Sequence, residues 1–152
     1  ISANNLIESE KFDEAKVAID LAVVHPKTSG WHRTYLVKGL LCQKAFESGF
    51  EKEEEKKIKL YPKQLFVAYD SYEKALELDS GRRTRAVVQT QYHPLVNDFK
   101  KLGKRHYERR EYELAMEHFG LTETAVEAVK TIFRQARPLG AGVPRLSMLM
   151  TT

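Results

Sequence analysis

The chain has 152 residues, 42% of them hydrophobic, and a formal net charge of +4, which suits one ordinary domain. A globule of this size hides roughly 68–70% of its unfolded surface, so an apolar interior suffices without disulfide staples or a structural metal. The single Cys42 excludes an intrachain disulfide framework, no run reaches the ~18 apolar residues of a membrane span, and the modest charge falls short of a concentrated nucleic-acid surface.

The sequence opens on Ile1 without a basic region followed by an apolar targeting core, which reads as a mature or trimmed chain. Segment 1–9 supplies the last turns of a helix with Leu6 and Ile7 inward. Over 11–24, Phe12, Ala15, Ile19, Ala22 and Val23 recur at helical spacing, and Pro26 with Gly30 closes the run as a turn. The next helix is expected over 30–48, with Trp31, Tyr35, Leu36, Gly39, Leu40, Cys42 and Phe46 on its packed side; a glycine inside a good helix marks close approach by a neighbour. Segment 50–60 alternates glutamates with lysines and has little apolar face, so it is expected as a solvent-exposed extension or insert.

Pro62 marks a new start, and 63–79 carries Leu65, Ala68, Tyr69, Tyr72, Ala75, Leu76 and Leu78 inward. The stretch 82–93 reads as a short helix or an ordered loop. Pro94 then opens a helix over 95–108 with Leu95, Phe99, Leu102, His106 and Tyr107 as its stripe. Segment 111–136 is helical, with Gly120 expected to divide or end it near the middle. The final residues 137–152 contain Pro138, Pro144, Gly140 and Gly142 and are expected to form a flexible tail.

One constellation recurs. Phe12, Ala15 and Ile19, then Leu65, Ala68 and Tyr72 with Ala75, then Tyr112, Ala115 and Phe119 place large, small and large side chains at the same intervals. The small residue lets helices approach while the large ones fill the space between pairs. The preceding helices hold Tyr35 and Gly39, and Phe99, Leu102, Gly103 and Tyr107. At these residues the chain resembles the tetratricopeptide repeat family over roughly 1–122, most closely at 99–119. The resemblance implies an all-α fold, a short right-handed superhelix of helical hairpins over 1–136, with insertions near 47–63 and 82–94. It also implies a groove for a protein or peptide. Trp31 ahead of a glycine-bearing helix and an exposed insertion before Pro62 also resemble exported repeat proteins of Bacteroides-like bacteria, which implies a periplasmic or envelope setting, with a cytoplasmic one as the alternative.

The residues offer little catalytic chemistry. The five histidines form no metal-ligand spacing, and His25 and His93, each before a proline, read as turn residues. Glu51, Glu53, Glu54 and Glu55 crowd a polar run with no apolar shelter to raise a carboxyl pKa. The expectation is a non-enzymatic scaffold without cofactor or metal. Asn4, Asn5, Arg33, Lys38, Asn97, Lys101, Lys104 and Arg105 are the candidate groove residues, the lysines and arginines among them suited to clamping an acidic peptide or a terminal carboxylate. Arg82, Arg83 and Arg85 form a second basic cluster; nucleic acid is the disfavoured partner for both. The alternative is a structural or oligomerisation module, with Leu121, Val126, Val129, Ile132 and Phe133 either capping the array or forming a homodimer patch.

Overall fold

The structure, a computed structural model, describes residues 2–136, with side chains as far as Glu127. The described residues are helical, without strands: α1 (Ala3–Glu8), α2 (Phe12–Val24), α3 (His32–Lys52), α4 (Glu55–Ile58), α5 (Gln64–Leu78), α6 (Arg82–Glu108) and α7 (Tyr112–Ala136). The chain divides between Thr84 and Arg85 into two compact units. The expected tail at 137–152 lies outside the described residues.

In the first unit α1 and α2 form a hairpin, and α3 packs on both. Leu6, Ile7, Phe12, Ala15, Ile19, Leu41 and Ala45 make one buried cluster, with Ala3, Val37 and Leu40 packed against it. The periodic stripe of α2 is thus the face α3 covers. α5 then packs on α3 at close range. A Cβ on Gly39 would lie 2.5 Å from the Tyr72 ring, so the glycine is what lets α5 approach. Tyr72 is fully buried, and its hydroxyl donates to Gln43 Oε1 at 2.6 Å.

Segment 50–60 departs from the expected extension. α3 runs on to Lys52, Glu53 turns left-handed (φ 57°), and α4 folds back so that Ile58 is buried. Leu60 and Tyr61 pack against the α1–α3 cluster, whereas 51–56 remains exposed. Gln64 holds this detour down: its buried amide donates to the carbonyls of Cys42 (2.9 Å) and Lys57 (2.8 Å), and its Oε1 accepts from the Tyr61 backbone at 3.1 Å. Pro62 does not itself open α5; Lys63, left-handed at φ 48°, intervenes.

The segment 82–93 is neither a loop nor a short helix, and Pro94 does not start a new one: both lie within α6. Val88, Tyr92, Leu95 and Phe99 are all fully buried and run through the proline at three- and four-residue steps. Burial of that continuous stripe outweighs the ~3 kcal/mol that an interior proline costs a helix. His93 is accordingly a helical residue and not a turn residue. Gly120 does not divide α7, which passes through it without interruption.

The α1–α2 and α6–α7 turns are built alike, each position in the second lying 100 residues after its counterpart in the first. Glu10 (φ 57°) and Arg110 (φ 63°) are left-handed. Lys11 donates to the Leu6 carbonyl and Glu111 to the His106 carbonyl, both at 2.8 Å. Glu10 donates to Ile7 and Arg110 to Tyr107, both at 3.0 Å. This is the paired closure that satisfies the last carbonyls of a helix, here achieved without glycine.

Candidate functional site

The eight candidate groove residues divide evenly between the units. In the first, Asn4 and Asn5 are exposed on α1, where the Asn5 backbone is capped by Ser2 Oγ at 3.3 Å. Arg33 is exposed at the start of α3, its guanidinium 5.6 Å from the centre of the Trp31 ring. Lys38 is engaged from another quarter: its ammonium stands 5.4 Å from the Tyr61 ring, over the segment that folds back from α4.

Tyr61 is the centre of a polar cluster that the sequence did not reveal. Its hydroxyl donates to Asp20 Oδ1 at 2.6 Å, and Lys16 donates to Asp20 Oδ2 at 2.7 Å while lying 4.8 Å from the same ring. Burial opposes ionisation of Asp20, but the hydrogen bonds from Lys16 and Tyr61 outweigh it and hold the carboxyl below its ordinary value. Burial, and then the bond to that carboxylate, push the Tyr61 phenol up. The cluster pins the detour onto α2. Beside it a shallow cleft of about 450 Å³ is lined by Asp13, Lys16, Glu55, Lys56, Lys59 and Leu60.

In the second unit Asn97, Lys101 and Lys104 are exposed on α6, together with Lys100, and Arg105 is half-buried. Spacings of three and four put Asn97, Lys100, Lys101 and Lys104 on one helical face. The opposite side carries Leu95, Phe99 and Gly103 inward. A Cβ on Gly103 would lie 2.8 Å from the Phe119 ring, the same glycine-to-aromatic approach that Gly39 and Tyr72 make. The His106 and His118 rings meet at a tilt of 48° with centroids 4.9 Å apart; His106 Nδ1 lies 3.1 Å from Glu111 Oε1, and buried His118 bonds the Leu114 carbonyl through Nδ1 at 2.7 Å.

The packing residues separate by position. Phe12, Ala15, Ile19, Gly39, Ala68, Tyr72, Ala75, Phe99, Gly103 and Ala115 are buried; Tyr35 and Leu102 are half-buried. Tyr107, Tyr112 and Phe119, expected inward, are exposed, with the Tyr107 and Tyr112 rings meeting edge-on at 5.4 Å. The reason is local: α6 covers one side of α7, Phe119 sits at the edge of that side against Gly103, and Tyr107 lies near the end of α6, where Tyr112 meets it edge-on. Leu121 and Val126 are half-buried, and the side chains of Val129, Ile132 and Phe133 lie outside the described ones.

Cys42 is fully buried and burial pushes its thiol up to about 12, so it is not a thiolate at neutral pH. Among the described residues no group of three or more His, Cys, Asp or Glu side chains is placed to hold a metal ion, and no helix is long and apolar enough to cross a membrane. No family model, no curated protein and no solved structure matches the chain.

Proposed function

We propose that the protein is a non-enzymatic scaffold of the tetratricopeptide repeat type that binds an acidic peptide segment, in a periplasmic or envelope setting, without cofactor. The recurrence of one helical hairpin turn and of the glycine-to-aromatic approach supports the repeat reading. The observation that carries the binding reading is the exposed face of α6, where Asn97, Lys100, Lys101 and Lys104 stand together and Tyr107 follows one turn on. Lysines spaced along one face suit successive carboxylates of an extended chain, and an exposed tyrosine suits an apolar anchor between them. Lys38 and Arg33 contribute less, because each cation already sits on an aromatic ring.

The test is fluorescence anisotropy with a labelled glutamate- and aspartate-rich peptide at low salt. Binding should weaken at least tenfold in the Lys100→Glu/Lys104→Glu protein and fall as salt rises. Affinity unchanged by that double substitution refutes the reading. A second reading, a homodimeric structural module, is favoured by one observation: Val17, Leu21 and Val24 on α2 are exposed at 62%, 64% and 74% and recur at helical spacing. Sedimentation of the wild-type chain beside Leu21→Ser discriminates it, since a dimer built on this stripe dissociates in the variant.

A further inference from the structure

We infer that the face of α7 carrying Tyr112, Met116 and Phe119, beside its contact with α6, is a docking surface for a basic amphipathic helix of another protein. These residues are 52%, 73% and 40% exposed and lie at i, i+4 and i+7, one stripe of one helix. The chain itself contains the covered version of this stripe. In the first hairpin the counterparts of Tyr112, Met116 and Phe119 are Phe12, Lys16 and Ile19, held in the same register by an identical turn; the two flanking positions are apolar in both hairpins, and Met116 stands where α2 has the half-buried Lys16. There Phe12 and Ile19 are only 4% and 2% exposed, because α3 lies over them with Leu41 and Ala45 in the cluster and Val37 and Leu40 packed against it.

α3 is therefore a template for what seats on α7: a helix with an aliphatic stripe at steps of three and four. The charge of a partner is set by α7 itself, because Asp20, near which α3 brings Lys38, has Gly120 as its counterpart. Residues 111–127 hold five acids, Glu111, Glu113, Glu117, Glu123 and Glu127, and no lysine or arginine. Exposed Glu113 and Glu123 flank Met116 and Phe119 by one turn on either side. A lysine-bearing helix complements this border. A second copy presenting its own α7 opposes glutamate to glutamate, which disfavours the symmetric pairing.

The probe is a synthetic helix that carries Val37, Lys38, Leu40, Leu41 and Ala45 in register on an alanine and glutamine background with added lysines, titrated against the full chain. Saturable binding at or below about 100 μM is expected. Met116→Ser, at a position too exposed to affect folding, should weaken it tenfold or more. Glu113→Lys/Glu123→Lys should lose the lysine helix and accept a version with glutamates in place of the lysines. Three outcomes overturn the inference: no saturation by about 1 mM, equal affinity of the wild-type chain for the lysine and glutamate helices, or wild-type self-association abolished by Met116→Ser, which assigns the face to a second copy.

Discussion

Replacing Gly39 by alanine sets two opposed terms against each other, and the structure decides between them. Alanine gains about 1 kcal/mol of helix propensity over glycine in a helix interior. The new methyl, however, would meet three carbons of the Tyr72 ring at 2.5, 2.7 and 2.9 Å. That ring has nowhere to go: it is fully buried, and its hydroxyl is tied to Gln43 Oε1 at 2.6 Å. Overpacking costs typically about 1–3 kcal/mol, and a ring that cannot yield puts this site at about 2–3 kcal/mol, so Gly39→Ala should destabilise by about 1–2 kcal/mol net, lowering Tm by roughly 2–8 °C. The same substitution elsewhere calibrates it. At Gly103 the obstructing Phe119 ring stands at 2.8 Å but is 40% exposed and free to swing, so the effect should be near zero. At Gly120 nothing lies within 4 Å, and Gly120→Ala should stabilise by about 1 kcal/mol. Thermal melts by circular dichroism give the ranking. A Gly39→Ala protein as stable as Gly120→Ala would refute the argument that glycine sets the α3–α5 distance.

Other consequences are open to direct measurement. Arg110 holds a left-handed conformation that costs a side-chain-bearing residue roughly 1 kcal/mol, so Arg110→Gly should raise stability by about that amount in a urea titration. The Asp79 carboxyl is held below its ordinary value of 3.8 by hydrogen bonds from Thr84 and the Gly81 backbone. A depressed folded-state pKa contributes stability that is complete above the unfolded value and lost as pH falls through the folded one. His32 Nε2 lies 3.6 Å from the same carboxylate, so the comparison is made at acid pH, where the Tm gap between wild type and Asp79→Ala should close as pH falls below about 4; a gap that persists undiminished to about pH 2 contradicts the assignment. Cys42, with its thiol at about 12, should resist iodoacetamide at pH 8 in the folded chain and react fully in denaturant, read by mass spectrometry. Tyr61→Phe should cost about 1 kcal/mol by removing the donor to Asp20, measured by urea denaturation.

The helices themselves were legible because apolar residues at steps of three and four mark a buried face whatever it is buried against. Phe12, Ala15 and Ile19, or Ala68, Tyr72 and Ala75, needed nothing more. Periodicity cannot say whether a stripe has a neighbour on every side, and for that reason Tyr107, Tyr112 and Phe119 read as packing residues and stand exposed. Pro94 misled in the other direction: a proline is normally punctuation, yet Val88, Tyr92, Leu95 and Phe99 keep one phase on both sides of it, and that phase was present in the sequence. The left-handed residues Glu10 and Arg110 carried no signal, since neither is a residue type that favours the conformation. Of the candidate site, the run of α6 cations was readable from their spacing. The engagement of Lys38 was not, because Tyr61 lies 23 positions on and reaches it only through a detour that Gln64 fastens.

That detour bears on the order in which contacts form. Three residues separate α1 from α2, and three separate α6 from α7, whereas eleven separate α3 from α5. Closing the longer connection costs roughly 1 kcal/mol more in chain entropy by loop-length scaling, before the burial of Tyr72 against Gly39 returns any of it. The two short hairpins should thus be the contacts that close first, and the α3–α5 pair with its Gln64 fastening should close late. Substitutions at Gln64 or Tyr72 should then show chiefly in how fast the first unit opens, and substitutions at Ala15 or Ala115 in how fast each hairpin forms.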